Sequence, residues 1–402
     1  MDLTTYHSQA ALELQAILDY WMRYTTDENF GGFFGRVDQF NRPEPSAPKG
    51  LVLNSRILWT FSAAYNLVQN PLYLSMAERA YRYLLDHFED PDHRGMYWSV
   101  DFRGDLLNGR KQLYGQAFAL YGFSEFFRAT GRQDVLQKAI GLFTLIEGHG
   151  FDPAYLGYFE AFDRQWGPEV DLRLSQKDAN EKKTMNTHLH VLEAYTCLYR
   201  LWPDSQLRGQ ILNLLDNFHS HMIDGVTSHL GLFFDEAWNL KSGIISYGHD
   251  IEAAWLLLEA ARATGDSRWI ATMREHAVKM ARAAAEGLDG DGGLWYEYDQ
   301  RTGHLSREKH WWPQAEAMVG FLNAYEVSGD PVFLQQSCQA WQFTMRHIKD
   351  PVQGEWFWGV DDSHRPMEGQ DKAGFWKCPY HNSRACMEII GRTAAINPTP
   401  HA

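Results

Sequence analysis

Three short segments of the sequence place histidines beside other polar side chains at the start of apolar stretches. They read MNTHLH from Met185, SYGHDIE from Ser246 and PYHNSR from Pro379. The ordinary pKa of histidine is about 6.5, so an imidazole can both take and return a proton near neutral pH. The three segments therefore predict a site for proton transfer.

Spacing within two of these segments limits what the histidines can do. His249 and Glu252 are three residues apart and share a helix face, so the carboxylate is expected to orient the imidazole and favour its protonated form. His188 and His190 are two apart and point to different sides of a helix, which argues against one shared metal ion. An extended backbone there would weaken that argument. A hydrogen-bonded core histidine is the preferred interpretation of His188.

The first turn of each of six apolar segments carries polar or aromatic side chains. They are Asn54, Arg56, Tyr114, Gln116, Asn186, His188, His190, His249, Asp250, Glu252, Trp312, Glu316, His381, Asn382 and Arg384. Charged side chains are rarely buried unless they are paired or functional. If six helices run in one direction, their first turns meet at one end and line a pocket. For any single residue, a capping or paired structural role explains the position equally well.

A glycine–aromatic unit recurs six times. It reads GGFFGRVD, RGMYWSVD, LGYFEAFD, LGLFFDEA, GGLWYEYD and GEWFWGVD, starting at Gly31, Arg94, Leu156, Leu230, Gly292 and Gly354. Anchored on Gly32, Gly95, Gly157, Gly231, Gly293 and Glu355, the separations are 63, 62, 74, 62 and 62 residues. A turn glycine, alternating aromatic and polar residues and then an acid predict a short hairpin or tight loop. The fixed period indicates a repeated supersecondary unit.

Two helical segments lie between consecutive units. One set is charged on one side, as surface helices are, and covers residues 72–88, 135–148, 207–222, 269–285 and 333–348. The other set is apolar nearly all round, as buried helices are, and covers residues 55–68, 114–128, 186–201, 249–263, 313–327 and 381–394. This alternation predicts an all-α (α/α)6 barrel with short β-hairpins or loops between the helices.

The third interval is longer than the others, and the stretch from Asp178 to Thr184 is expected to belong to a loop insertion there. We find no linker rich in Pro or Ser, so residues 1–402 are predicted to form a single catalytic domain. The formal net charge of −14 argues against nucleic acid and anionic membranes as partners. The N-terminal residues form an amphipathic pattern and not a signal peptide, and the four cysteines have no paired spacing. We expect a cytoplasmic protein.

Several motifs of other chemistries are absent from the sequence. It contains no GxGxxG opening a βαβ unit, no P-loop, no HExxH and no GxSxG. Neither a nucleotide cofactor nor a metal ion is therefore expected.

Six strings together resemble the N-acylglucosamine 2-epimerase superfamily, and in particular its cellobiose 2-epimerase branch. They are NSRILWTFSAAY, MNTHLHVLEAY, SYGHDIEAAWLLLEA, HWWPQAEAMVGFLNAY, GEWFWGV and GFWKCPYHNSRACMEII, in the family's order from about Trp21 to Arg392. The resemblance implies an (α/α)6 barrel, in agreement with the repeat count. It also implies 2-epimerisation of a sugar without a cofactor.

The resemblance assigns roles to individual residues. His249 and His381 match the family's two acid/base catalysts, and His190 matches a third catalytic histidine. The substrate-binding positions that match or accompany them are Arg56, Tyr114, Asp178, Asn186, Glu252, Trp312, Glu316, Trp376 and Arg384. Arg56 would contact the sugar oxygens, and the tryptophans would stack on sugar rings. Asp178 lies in the loop that would hold a second sugar unit.

These residue types suit the implied reaction. Epimerisation at C2 of an aldose removes the proton next to the carbonyl carbon and returns a proton to the opposite face. Two histidines, one on each face, can perform both transfers. Arg56 and a protonated His190 could stabilise the negative charge of the enediolate between the two steps.

Several functions remain in competition at this point. The leading one is 2-epimerisation at the reducing end of β-1,4-linked disaccharides, from cellobiose to glucosyl-mannose and from lactose to epilactose. A mannose 2-epimerase or a mannose–fructose isomerase would use the same histidines, whereas N-acylglucosamine fits the strings less well. A glycoside hydrolase would use Glu252 and Glu316 but leave the histidines unused. A non-catalytic sugar-binding protein would need only the tryptophans. A monomer or weak homodimer acting on a small sugar is expected.

Overall fold

The computed structural model describes residues 1–396, so residues 397–402 of the predicted domain lie outside it. Within that range twelve α-helices alternate between an outer and an inner layer. The outer helices are α1 (Leu3–Tyr24), α3 (Pro71–Tyr83), α5 (Gln133–Leu145), α7 (Ser205–Asn217), α9 (Ser267–Ala284) and α11 (Pro331–Phe343). The inner helices are α2 (Leu51–Val68), α4 (Leu113–Thr130), α6 (Met185–Leu201), α8 (Tyr247–Thr264), α10 (Trp311–Ser328) and α12 (Tyr380–Ile396).

The inner helices form a closed ring, because each packs on the next one and α12 packs on α2. Helix α2 is buried at every position from 51 to 64, whereas the outer helices bury one stripe. This is the predicted (α/α)6 barrel. The inner helices begin one to four residues earlier than the sequence pattern indicated. None of the helices within residues 1–396 is long and apolar enough to cross a membrane.

Five of the outer helices are followed by a turn with π-helical or 3-10 geometry. A five-residue π-helical turn follows α3, α5, α7 and α11, at Leu84–Phe88, Ile146–Gly150, Phe218–Met222 and Thr344–Ile348. A 3-10 turn at Ala285–Gly287 follows α9. Each of these turns leads directly into one of the repeated glycine–aromatic units, so the unit enters at the same end of the barrel every time.

Short antiparallel strands connect the helices, as predicted. They are β1 (Lys49–Gly50), β2 (Ser99–Val100), β3 (Leu106–Asn108), β4 (Lys111–Gln112), β5 (Ala161–Phe162), β6 (Lys183–Thr184), β7 (Phe233–Phe234), β8 (Ile244–Ser246), β9 (Glu297–Asp299), β10 (His304–Ser306), β11 (Lys309–His310) and β12 (Gly359–Val360). Two sheets have three strands, in the orders β1-β2-β3 and β8-β9-β10. The remaining strands pair as β4-β5, β6-β7 and β11-β12.

Each repeated unit is a tight loop closed by one β-bridge, for example between Glu89 and Met96. In the fourth unit the bridge joins Ile223 and Leu230, so the residue equivalent to Gly157 is His229 and not Gly231. The sequence alignment of that unit was therefore wrong by two residues. With His229 as the anchor of the fourth unit, every unit has an aspartate six residues after its anchor. The carboxylate of each aspartate accepts a hydrogen bond from a backbone N–H of the turn that follows. The six are Asp38, Asp101, Asp163, Asp235, Asp299 and Asp361.

A buried lysine fastens five of the six units to the strand or loop that precedes the next inner helix. The pairs are Lys49–Asp27, Lys111–Asp90, Lys183–Asp152, Lys309–Asp289 and Lys372–Asp350, with N···O distances of 2.6–2.8 Å. Buried charges are tolerated when they are paired and hydrogen-bonded in this way. The fourth unit has Ile245 at the lysine position, and there the fastening ion pair joins His229 to Asp250 at 2.7 Å.

Candidate active site

A cavity of about 670 Å³ opens at the end of the barrel where the inner helices begin. Ten of the residues predicted for the site line it. They are Arg56, Tyr114, Asp178, Asn186, His190, His249, Glu252, Trp312, Trp376 and His381. The volume lies in the range of small-molecule sites. The first turns of the inner helices therefore meet at one pocket, as the sequence pattern indicated.

Two of the predicted histidines that line the cavity are held by carboxylates. His190 Nδ1 lies 2.9 Å from Glu193 Oε2, one turn further along α6. His381 Nδ1 lies 2.7 Å from Glu316 Oε1, which reaches it from α10. Both imidazoles are buried. In each case Nδ1 is occupied by the protein, so Nε2 is the nitrogen available to a bound molecule.

Burial lowers the pKa of both imidazoles below the ordinary value for histidine. At His190 the hydrogen bond and negative charge of Glu193 oppose that effect, while the positive charges of two arginines add to it. A lowered pKa favours the neutral imidazole, which is the form that accepts a proton.

The hydrogen-bond partner of His249 is not the predicted Glu252. The imidazole Nδ1 lies 2.8 Å from the hydroxyl oxygen of Ser246, and Glu252 does not contact it. The prediction that Glu252 orients His249 was therefore wrong. Side chains in the first turn of a helix lean toward its N-terminus, which brings His249 back onto Ser246. Burial, together with the positive charge of nearby His190, lowers the pKa of His249 to about 3.

Arg384 occupies the centre of a carboxylate cluster behind the cavity wall. Its Nη2 donates to Glu252 Oε1 at 2.6 Å and to Glu316 Oε1 at 2.7 Å. Its Nη1 forms a short contact with Glu193. Neither Glu316 nor Arg384 lines the cavity, although both were predicted to bind the substrate. They lie one layer further back and hold the groups that do line it.

This cluster governs the protonation of its carboxyl groups. Burial raises the pKa of Glu252 to about 8, and it also raises the pKa of Glu316. Burial acts on Glu193 in the same sense, but Arg384 and His190 overcome it and hold the pKa of Glu193 low. Glu193 therefore carries a negative charge beside His190 throughout the neutral range.

Glu252, Glu316 and His381 place three possible metal-ligand atoms within 4.8 Å of one another. One oxygen of Glu252 and one oxygen of Glu316 already accept hydrogen bonds from the same nitrogen of Arg384. A cation bound there would have to displace that guanidinium group or lie against its positive charge, so the donor set does not fit a metal ion.

Arg56 is buried among aromatic rings. Its guanidinium group lies 4.1 Å from the centre of the Phe118 ring and 4.9 Å from that of Tyr380, and its Nη2 donates to the hydroxyl of Tyr114 at 2.7 Å. Burial disfavours its charge, but the ionisable groups around it, among them Tyr114 and Glu252, raise its pKa, so the group stays cationic. Within residues 1–396 it forms no salt bridge with a carboxylate. A positive charge without a protein counter-ion thus faces the cavity.

Tryptophans form two walls of the cavity. The Trp312 ring centre lies 4.7 Å from the His249 ring and 5.8 Å from the His381 ring, so Trp312 bridges the two imidazoles. Trp376 packs 6.1 Å from Tyr114 on another side. Flat apolar rings beside hydrogen-bonding groups suit a ligand with both C–H faces and hydroxyl groups.

The loop insertion of the third interval covers the cavity mouth. Residues 172–179 line the opening, and Asp178 accepts a hydrogen bond of 2.8 Å from the backbone of Ser175. Burial raises the pKa of Asp178 and also raises that of nearby Glu297 to about 7. Asp178 and Glu297 thus add two acidic groups to the lining of the cavity.

Another group of predicted residues faces away from the cavity. Gln116, His188 and Asp250 accept hydrogen bonds of 2.8 Å from the backbone N–H groups of Met96, Tyr158 and Leu230. These side chains fasten the repeated units to the inner helices. The structural interpretation preferred for His188 is confirmed, since both of its ring nitrogens are bonded to backbone.

The sequence analysis missed several residues at this site. Glu193 and Ser246 hold two of the histidines, and Glu160, Tyr296 and Trp358 line the cavity. A signal for the last three did exist, because each stands three residues after the anchor of its repeated unit. Glu193 could have been found from its three-residue spacing to His190, the same spacing that misleads for Glu252.

Comparisons with known proteins agree with this geometry. The sequence model of the N-acylglucosamine 2-epimerase (GlcNAc 2-epimerase) family matches residues 32–385. A cellobiose 2-epimerase of Bacteroides fragilis is 51% identical over 93% of this chain and 96% of its own length. A cellobiose 2-epimerase of Dictyoglomus turgidum is 39% identical over 98% of this chain and its full length. The solved structure of the cellobiose 2-epimerase from Bacillus thermoamylovorans superposes with a TM-score of 0.92 at 39% identity, over 97% of this chain and all of that one. The chain therefore belongs to the N-acylglucosamine 2-epimerase family of carbohydrate epimerases.

Proposed function

We propose that this protein epimerises C2 of the reducing-end sugar in β-1,4-linked disaccharides, converting cellobiose to glucosyl-mannose and lactose to epilactose. One observation supports the reaction type most directly. Four imidazoles line one cavity, three of them with Nδ1 bonded to the protein, and the cationic side chain of Arg56 lines the same cavity. The names of the relatives support the disaccharide as substrate.

The chemistry begins with the open-chain aldose. One of the two bases, His249 or His381, takes the C2 proton on its Nε2, and the electrons of the C–H bond pass into an enediolate. The other histidine, which enters the cycle as an imidazolium, then gives its Nε2 proton to the opposite face of C2 and becomes neutral. The two imidazoles exchange their protons with solvent before the next cycle, so that atoms and charge balance.

Other groups in the cavity stabilise the negative charge of the enediolate. The enediolate carries negative charge on O1 and O2, and a preorganised cation in a site with little water stabilises such charge strongly. Arg56 is suited to this role because none of the carboxylates in residues 1–396 forms a salt bridge with it. His190 is the second candidate, since Glu193 favours the protonated form of that imidazole.

Residues at the mouth of the cavity support a disaccharide as the substrate. The second sugar unit would lie beside Trp312 and under the loop that carries Asp178, where acidic groups can accept hydrogen bonds from hydroxyl groups. Tyr114, Asn186, Glu252 and Trp376 would hold the reducing-end sugar. A mannose 2-epimerase or mannose–fructose isomerase remains the alternative, with the same catalytic groups and a smaller substrate.

The geometry speaks against a glycoside hydrolase. Such enzymes place two carboxylates on either side of the scissile bond. Glu252 and Glu316 instead converge on one nitrogen of Arg384, and Glu316 does not line the cavity. Since every group named here comes from one chain whose helix ring closes on itself, we also propose that a single chain forms one catalytic domain and is active as a monomer or weak homodimer.

A labelled-solvent experiment tests the proposal. Cellobiose, lactose and mannose are incubated separately with the enzyme in D2O, and the products are examined by proton NMR and mass spectrometry at low conversion. Glucosyl-mannose or epilactose with deuterium at C2 is the expected result. Free glucose would indicate hydrolysis, and a ketose labelled at C1 would indicate isomerisation. An unlabelled epimer would overturn the two-base scheme.

A further inference from the structure

Three of the four histidines that line the cavity have Nδ1 bonded to the protein, and they differ in the group that holds it. His190 and His381 bond to the carboxylates of Glu193 and Glu316, whereas His249 bonds to the hydroxyl of Ser246. A carboxylate only accepts a hydrogen bond, so it requires a proton on Nδ1 and favours the imidazolium form. A hydroxyl group carries no charge and can accept or donate, so it orients the ring without favouring the imidazolium.

The side chain of Ser246 does not form the hydrogen bond that is usual for a serine at the start of a helix. Ser246 is the N-cap of α8, where a serine normally accepts a hydrogen bond from a backbone N–H of the first turn. No such bond is formed by its side chain, although its counterpart Thr184 at the start of α6 does cap the N–H of Thr187 at 3.1 Å. The hydroxyl of Ser246 is thus turned from the helix end to His249.

The backbone of Ser246 is held firmly in this position. Ser246 ends strand β8 and pairs with Glu297 of β9 in a three-stranded sheet, and it is fully buried. A side chain that is buried, fixed by strand pairing and not used for capping has one partner in reach, the imidazole of His249. Other charged groups that act on this imidazole are His190 and Glu316, and the ring of Trp312 lies 4.7 Å from it at an interplanar angle of 51°.

We propose that Ser246 is a positioning residue that holds His249 with its proton on Nδ1 and its lone pair on Nε2, directed at C2 of the sugar. This rests on the proposed epimerisation. In the first step the C2–H bond breaks, the proton moves to Nε2, and the Nδ1–H of the resulting imidazolium continues to donate to Ser246. Because no carboxylate of residues 1–396 is hydrogen-bonded to that imidazolium, it gives its proton up more easily than His190 or His381 would. His249 is therefore reset to the neutral base faster than a carboxylate-bound histidine would be.

Three substitutions test this role. Ser246→Ala should lower kcat by about 10–100-fold, the usual cost of losing a group that orients a functional histidine, with KM nearly unchanged. Ser246→Thr should keep the hydroxyl and restore most of the rate. Ser246→Asp should favour the imidazolium form of His249, so that the acid limb of the kcat/KM profile moves to higher pH. A purely structural residue would not move that limb.

A matched variant separates positioning from helix capping. Asn70, the N-cap of outer helix α3, accepts a hydrogen bond from the N–H of Leu72 at 3.0 Å. Asn70→Ala should lower the melting temperature and leave kcat unchanged, whereas Ser246→Ala should lower kcat with little change in melting temperature. Equal activity of Ser246→Ala and wild type, with the same pH profile, would overturn the proposal.

One measurement does not depend on catalysis. Nitrogen-15 NMR of the substrate-free protein distinguishes the two neutral tautomers of histidine, with His249 assigned by its loss in His249→Gln. The expected signal is that of protonated Nδ1, and Ser246→Ala should mix the two tautomers. Protonated Nε2 in the wild type would contradict the role of Ser246 whatever the substrate is. An enzyme with the expected tautomer but no epimerase activity would instead contradict the proposed function.

Discussion

At the scale of single residues, the site is a set of similar imidazoles made different by their neighbours. Glu193, Ser246 and Glu316 each hold one Nδ1, and burial lowers the pKa of all three rings. The neighbours therefore decide how each ring is oriented and how readily it carries a proton. The catalytic roles of the rings stay predictions until variants are assayed.

Removal of either proposed base gives a direct prediction. His249→Ala and His381→Ala should each lower kcat by about 10²–10⁴-fold, because general acid–base catalysis contributes on that order. Binding of substrate, followed by calorimetry, should survive. His304→Ala, at an exposed position of β10, serves as the control and should retain the wild-type rate. If His381→Ala keeps more than a tenth of the wild-type kcat, this histidine is not one of the two bases.

At the scale of elements, similar ion pairs and hydrogen bonds connect each repeated unit to an inner helix or to the strand before it. Five units use a buried lysine–aspartate pair, and Gln116, His188, Asp250 and Gln314 bond to the backbone of their units. These contacts hold the first turns of the inner helices at a common height. The fourth unit, which supports the helix carrying His249, depends on His229 and Asp250 instead.

This exception predicts a pH-dependent stability. Burial opposes the charge of His229, but Asp250 at 2.7 Å and Glu286 at 3.4 Å outweigh it and raise the pKa of His229. A raised pKa in the folded state gives a stabilisation that is complete below about pH 6.5 and is lost as the pH rises through the folded-state pKa. His229→Gln should therefore lower the melting temperature most under mildly acidic conditions.

The measurement is a series of thermal melts from pH 5 to 9. The difference between wild type and His229→Gln should shrink as the pH rises, while His304→Gln should match the wild type throughout. A difference that is the same at every pH would mean that His229 acts through packing and not through its charge.

At the scale of the whole molecule, six inner helices bring distant residues to one end of a closed ring. Arg384 on α12 meets Glu193 on α6, Glu252 on α8 and Glu316 on α10. One guanidinium group thus connects four helices directly behind the cavity. The net charge of −14 lies mostly outside this cluster, where it favours solubility.

The same cluster predicts independence from metal ions. The carboxylate oxygens that could bind a cation are already bonded to Arg384, so treatment with EDTA should leave the rate of epimerisation unchanged. The assay compares treated and untreated enzyme in metal-free buffer, with metal content measured in parallel. Loss of activity that zinc or manganese restores would contradict this prediction and identify Glu252, Glu316 and His381 as ligands.

The sequence by itself was sufficient for the fold and for the place of the site. Helix periodicity and the 62-residue repeat are local properties of the chain, and they predicted the (α/α)6 barrel and the ring of polar first turns. Ten predicted residues do line the cavity, because parallel inner helices must bring their first turns together.

Only the tertiary structure decided which side chains bond to one another. Glu316 reaches His381 across 65 residues, and Arg384 gathers three carboxylates from three other helices. Even the local choice of Ser246 over Glu252 as the partner of His249 depended on it, since Arg384 draws Glu252 away. Such choices are made by the packing of neighbouring helices, which a sequence pattern along one helix does not contain.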